Sequence, residues 1–147
     1  MCQVSRASAE DLIAIRALLE RSGLPTSDLE SARPEFAVIR EHGLLIAAGA
    51  LQRFGAVALL RSVVVAPDRR GRRLGKTVVS ELERLARAEQ ISLLILLTQT
   101  AAEFFARQGY QVIERSSAPQ EVQRSEEFRS LCPSTATCMA KSLPDSA

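Results

Sequence analysis

The stretch Ala66-Pro67-Asp68-Arg69-Arg70-Gly71-Arg72-Arg73-Leu74-Gly75-Lys76 decides how this chain is read. It stands between a long apolar run, Ala56 to Ala66, and a segment in which Leu74, Val78, Leu82, Leu85 and Ala86 recur at helical spacing. Where a buried strand feeds an amphipathic helix, the first helical amides have no intrahelical acceptor and the junction carries a partial positive charge. Small residues there let backbone amides approach an anion, and the arginines add charge, so this junction reads as a cradle for a pyrophosphate. A solvated basic turn and a DNA-contacting patch are the two other readings of the same arginines. A P-loop is excluded, because Gly71 and Gly75 stand too close together and Thr77 does not complete the pattern. A dinucleotide fingerprint fails too, since the third glycine is absent and the crossover lies in mid-chain.

Working outward, Ile91 to Leu97 is a second continuous apolar strand. Two apolar strands joined through a helix predict a right-handed parallel crossover buried on both faces. Upstream, Phe36 to Arg40, Leu44 to Leu51 and the Ala56 to Ala66 run read as three antiparallel strands, with turns at Glu41-His42-Gly43 and Phe54-Gly55. Ser8 with Asp11 is a variant capping box opening a helix that Gly23 stops, with Leu12, Ile15, Leu18 and Leu19 on one face. Cys2 to Arg6 reads as a first short strand, and Pro25 to Leu29 as a short helix opened by Thr26. Downstream, Thr100 with Glu103 predicts a capped helix closed by Gly109, and Tyr110 to Ile113 a strand. Ser116 to Arg129 is polar, with Pro119 suited to a first helical turn; Ala136 to Ala140 reads as a last strand and Leu143 to Ala147 as a loose tail. The order predicts a mixed α/β domain over residues 1–147, a mostly antiparallel sheet with one parallel crossover and flanking helices.

Composition narrows the classes. At 147 residues and 46% hydrophobic content the chain fills one core and leaves no room for a second ordinary domain. A net charge of +2, no Trp, one Tyr and five Phe argue against nucleic acid as a partner. No apolar run approaches the ~18 residues of a membrane span, and the first residues lack a signal-peptide pattern, so no membrane partner is expected. The three cysteines, Cys2, Cys132 and Cys138, are an odd number and read as free thiols, which makes the cytoplasm the expected address. The oligomeric state stays open, with a homodimer as one alternative.

Arg70-Gly71-Arg72-Arg73-Leu74-Gly75 resembles motif A of the GNAT acetyltransferase superfamily, Gln/Arg-x-x-Gly-x-Gly/Ala, with Arg73 at the middle glycine. The element order is similar to the GNAT fold along nearly the whole chain. The resemblance implies acetyl-CoA as cofactor, its phosphates held by Arg70, Gly71, Arg72, Arg73, Leu74, Gly75 and Lys76. It also implies strands that splay beside the motif, so that the backbone of Ser62, Val63, Val64 and Val65 pairs with the pantetheine arm. Leu59-Leu60-Arg61-Ser62, Leu97 to Phe105, and Cys132-Pro133 with Cys138-Met139 look like the arsenic-resistance N-acetyltransferase branch. The Leu97-Thr98-Gln99-Thr100-Ala101 stretch is also similar to the acetyltransferase domain of bacterial N-acetylglutamate synthase. Both resemblances imply an enzyme with a small primary amine as acceptor, an amino acid or an arsenic-containing analogue; the alternatives are a protein or peptide N-acetyltransferase and a non-catalytic sensor that binds acetyl-CoA or a metalloid.

That chemistry needs a neutral amine, an amide to hold the oxyanion and a donor to protonate the departing thiolate. The Val63 amide is the natural oxyanion donor. Phe105 stands where the resemblance leads one to expect the tyrosine acid, beside the cofactor, and Gln52 where it leads one to expect a glutamate base. Substrate-side candidates are Arg61, Gln52, Thr98, Cys132 and Cys138. Arg61 interrupts an apolar strand, so either it holds a substrate carboxylate or arsonate through a bidentate pair, or it forms a buried ion pair with a neighbouring Glu. Cys132 and Cys138 either capture a trivalent arsenical or pack as small hydrophobes; with His42 they are not a zinc set, and no metal is expected.

Overall fold

The computed structural model describes residues 4–71, 73–131 and 135–144. Seven strands form one mixed sheet in the order β1-β2-β3-β4-β5-β7-β6. They are β1 (Val4–Arg6), β2 (Glu35–Glu41), β3 (Leu44–Phe54), β4 (Val57–Val65), β5 (Leu93–Thr98), β6 (Gln111–Ile113) and β7 (Thr137–Ser142). The α-helices are α1 (Leu12–Arg21), α2 (Leu29–Ala32), α3 (Leu74–Ala88), α4 (Ala102–Arg107) and α5 (Gln120–Gln123). Among the described residues no helix is long and apolar enough to cross a membrane. The backbone groups into two units, Met1–Gln52 with Leu60–Leu85, and Arg53–Leu59 with Ala86–Ala147.

In the first unit, the Ser8 amide donates to Asp11 Oδ2 at 2.8 Å, and a 3-10 turn over Ala9–Asp11 leads into α1. Ile15, Leu18 and Leu19 are its buried stripe. Gly23 adopts φ +73 and closes α1 with a Schellman pair, Leu24 N to Leu19 O and Gly23 N to Glu20 O. The expected helix over Pro25 to Leu29 forms later, as α2 over Leu29–Ala32, with Asp28 and not Thr26 at its N-cap. β1, β2 and β3 pair antiparallel, and the β2–β3 hairpin turns at His42 and Gly43, both at positive φ, which matches strand twist. Gly49 on β3 faces α3 at a distance no side chain tolerates. A Cβ there would lie 2.7 Å from Val78 Cγ1 and 2.9 Å from Leu82 Cδ1.

In the second unit, β4 and β5 pair in parallel from Val57↔Leu93 to Leu59↔Ile95. The last strand does not simply extend the sheet. β7 inserts between β5 and β6, pairing antiparallel with both. Leu59, Ile95, Ala118, Val122, Phe128 and Cys138 form the core, and the Arg115 guanidinium lies 5.4 Å over the Phe128 ring. α3 ends on Gln90 at φ +63, with Ile91 N bonded to Ala86 O, and α4 ends on Gly109 at φ +97 in the same way.

Three sequence expectations change in this unit. The Thr100–Glu103 capping box does not form: Ala101 occupies the N-cap, and its amide bonds to Thr98 Oγ1 at 3.0 Å. The polar stretch after Ser116 breaks into a 3-10 turn, the single turn α5 with Pro119 at its N-cap, and a π-helical turn over Glu127–Leu131. Leu143 is not part of a loose tail, because it is buried and its amide bonds to Ser92 O at 2.8 Å.

Gly49→Ala is expected to destabilise the protein by about 1–3 kcal/mol, the usual range for forcing a methyl into a filled core. Urea denaturation of the two proteins checks it, with a lower midpoint at unchanged slope.

Candidate active site

The anion cradle is assembled by one loop of the first unit. Pro67–Arg69 make a 3-10 turn in which Arg69 is committed to structure, its Nε bonding Glu41 Oε1 at 2.9 Å and its Nη1 Asp68 Oδ2 at 2.6 Å. The chain then takes left-handed conformations at Gly71, φ +87, and at Arg73, φ +61. Arg72 lies outside the described residues. The Thr77 amide bonds to Arg73 O at 3.1 Å, so Thr77 begins the helical ladder. The amides of Leu74, Gly75 and Lys76 therefore have no acceptor within α3, at the positive end of its dipole. Arg70, Arg73 and Lys76 are exposed, and among the described residues none is paired with a carboxylate. Amides, dipole and three free cations fit a pyrophosphate group. Arg73 holds a left-handed backbone of the kind glycine adopts most readily, at a cost of roughly 1–2 kcal/mol for a side chain in that region.

β4 carries the second feature. Ser62 has φ +59 in mid-strand, a left-handed residue that departs from regular strand conformation. Arg61, Ser62 and Val64 are buried, whereas Val63 and Val65 are half-buried. Beyond Val65 the chain is anchored by the Ala66 amide, bonded to Ile46 O at 2.8 Å.

Arg61 itself forms a fork with Asp28: Nη1 to Oδ2 at 2.7 Å and Nη2 to Oδ1 at 2.6 Å, both side chains shielded from water. Its Nη1 also donates to Gln52 Oε1 at 3.0 Å. The bidentate geometry considered for a substrate carboxylate is thus met by Asp28, an aspartate from the α2 cap and not the glutamate considered as a structural partner. One carboxylate already balances the guanidinium, and the neutral amide of Gln52 adds an acceptor without a second charge. Asp28 is the residue that sequence reasoning missed. The expected helix over Pro25 to Leu29 put Asp28 inside it, and nothing local says that its carboxylate turns to Arg61.

The remaining candidates lie in the second unit. Thr98 uses its hydroxyl to accept from Ala101. Phe105 is buried and packs edge-to-face on Tyr110, ring centroids 5.6 Å apart. Cys138 is buried on β7, where desolvation pushes its thiol up to about 11 against a small opposing effect of Arg115. It packs as a small hydrophobe, and Cys132 lies outside the described residues. No cluster of metal-ligating side chains occurs among the described residues.

These features have counterparts in known proteins. The acetyltransferase (GNAT) domain model matches residues 32–112. The amino-acid acetyltransferase of Aliivibrio fischeri is 30% identical over 136 residues, which is 86% of this chain and 30% of the relative. This chain therefore spans less than a third of that relative's length. Rv2747 of Mycobacterium tuberculosis, solved with CoA and NLQ, superposes with a TM-score of 0.82 at 28% identity, covering 97% of this chain and 99% of that one. N-acetylglutamate synthase of Neisseria gonorrhoeae, complexed with coenzyme A and N-acetyl-glutamate, shares the fold with a TM-score of 0.83 at 22% identity, covering 98% of this chain and 35% of that one.

The chain belongs to the GNAT acetyltransferase family.

Two outcomes follow from the site. Arg73→Gly should relieve the left-handed strain and raise stability by about 0.5–1 kcal/mol, after the added freedom of the unfolded glycine is subtracted. The lost cation should weaken acetyl-CoA binding, so calorimetric titration and thermal melting are expected to move in opposite senses. Cys138 should resist iodoacetamide at pH 8 in the folded protein and react readily in urea, because only unfolding lowers its thiol to the ordinary range.

Proposed function

We propose that residues 1–147 act as one catalytic domain that transfers acetyl from acetyl-CoA to the primary amine of a small amino acid or an arsenic-containing analogue of one. The observation that carries this reading is the left-handed Ser62 in mid-strand, next to Val63 and a few residues before the anion cradle. Bound acetyl-CoA supplies a thioester carbonyl open to attack by an amine. Arg70, Arg73 and Lys76, with the first amides of α3, hold its phosphates, and the Ser62–Val65 backbone pairs with its amide-rich arm. The Val63 amide donates to the carbonyl oxygen as negative charge develops on it, a stabilisation worth about 10²–10³ in rate for a single donor.

Gln52 has no titratable atom to take the amine's proton, and Phe105 has none to give the thiolate. A water relay, or an acceptor bound already neutral, takes the place of a side-chain base: the amine nitrogen bonds to the carbonyl carbon, the carbon–sulfur bond breaks, and the proton shed by the nitrogen reaches the departing thiolate through water. Gln52 remains available to the acceptor through its Nε2, which has no hydrogen-bond partner among the described residues. The amino-acid acetyltransferase relative and the Rv2747 complex with CoA support a small acceptor of amino-acid type. The Leu59–Ser62 and Leu97–Phe105 segments support the arsenic-containing class.

A thermal shift with acetyl-CoA, followed by CoA release against amino acids and arsenic-containing analogues, tests this. Stabilisation with turnover of one acceptor class is the expected result. Stabilisation without turnover would mean a binding protein, the outcome that the absent acid and base would explain. No shift at saturating acetyl-CoA would sink the assignment of Arg70 to Lys76.

A further inference from the structure

Asp28 occupies the N-cap of α2, where an aspartate ordinarily accepts from the first helical amides. Its side chain makes no capping bond. The carboxylate instead turns to Arg61 and forms two short bonds, at 2.6 and 2.7 Å, with both groups buried. The residue gives up its local task for a distant one, 33 positions along the chain.

Its own backbone is fixed: Ala32 N and Ser31 N bond to Asp28 O at 2.8 and 3.1 Å, and Ser31 Oγ joins them at 3.1 Å. The carboxylate is therefore a rigid mooring. Arg61, moored to it, is the residue directly before Ser62. A non-glycine residue in the left-handed region persists only where its surroundings over-determine it. Here two anchors bracket it, the Arg61 fork on one side and the Ala66–Ile46 hydrogen bond on the other. Between them stands the Val63 amide.

We propose that Asp28 is a positioning residue for acetyl transfer: through Arg61 it holds the left-handed conformation of Ser62, and with it the aim of the Val63 amide. This inference rests on the reading of Val63 as the oxyanion donor. The cradle at Arg70 to Lys76 has its own supports and does not depend on Asp28, so the effect falls on the chemical step and not on acetyl-CoA binding.

The test compares wild type with Asp28→Asn and with the double variant Asp28→Asn, Arg61→Gln, which removes both charges and leaves an amide pair able to hydrogen-bond. Initial rates are taken with the best acceptor, and the Val63 amide is followed by ¹⁵N NMR. In Asp28→Asn, kcat should fall about tenfold to a hundredfold, the size expected for a misaimed group. The KM for acetyl-CoA should stay within about twofold. The double variant should recover the melting temperature but not kcat, a split that a purely structural pair would not produce. In both variants the Val63 resonance should shift and its exchange with solvent quicken.

A folded variant that keeps kcat within about twofold of wild type would overturn the inference, as would an unmoved Val63 resonance. If wild type itself fails to turn over any acceptor, the acetyl-transfer reading has failed, and the Val63 resonance still reports whether Asp28 holds the left-handed Ser62.

Discussion

Arg61 is a charged side chain fully shielded from water in an apolar strand, and such a group left alone would cost several kcal/mol. The first unit is arranged around its neutralisation. Asp28 meets it with a planar fork, and Gln52 supplies a further acceptor from β3. Pairing with this guanidinium ties Asp28, just before α2, to β4, and it diverts Asp28 from the helix it would otherwise cap. The pair is weak evidence for stability, since apolar residues of the same volume often serve as well. Its value lies in specifying one geometry for β4 at the point where that strand leaves regular conformation.

The cradle works by a different physics. Left-handed conformations at Gly71 and Arg73 bring the chain round before α3, so that three first-turn amides share one corner with exposed cations. The helix dipole and the side-chain charges act in the same direction, and both are screened by salt. Backbone amides are the more durable part, because no side-chain substitution removes them. Arg73 at the motif's middle position keeps its own amide and takes the left-handed angle that glycine favours.

Much of the candidate site was legible in the residues. The basic turn between an apolar strand and an amphipathic helix pointed to an anion, and its spacing excluded the P-loop and dinucleotide patterns. The replacement of the expected glutamate and tyrosine by Gln52 and Phe105 was likewise visible. What the residues did not disclose is pairing. Arg61 announced that it needed a partner without saying which, and Asp28 read as one residue of a short helix opened by Thr26. Thr98, a substrate-side candidate, also closes a turn by accepting from the Ala101 amide. Thr100 and Glu103 matched a capping box, yet that local signal yielded to the Thr98 turn.

The sequence by itself determined the elements, because hydrophobic period, glycine stops and turn residues act within a few positions of one another. From these came α1, the β2–β3 hairpin, α3 and the apolar strands of the parallel pair, and with them the fold class. Tertiary structure alone decided that β7 slides between β5 and β6, that the polar stretch after Ser116 breaks into single turns, and that Leu143 is bound to Ser92. It also decided the left-handed turn of Ser62 and the Asp28–Arg61 fork. Each of these depends on groups far apart in the chain, and an isolated serine or aspartate carries no mark of the distant partner that sets its conformation.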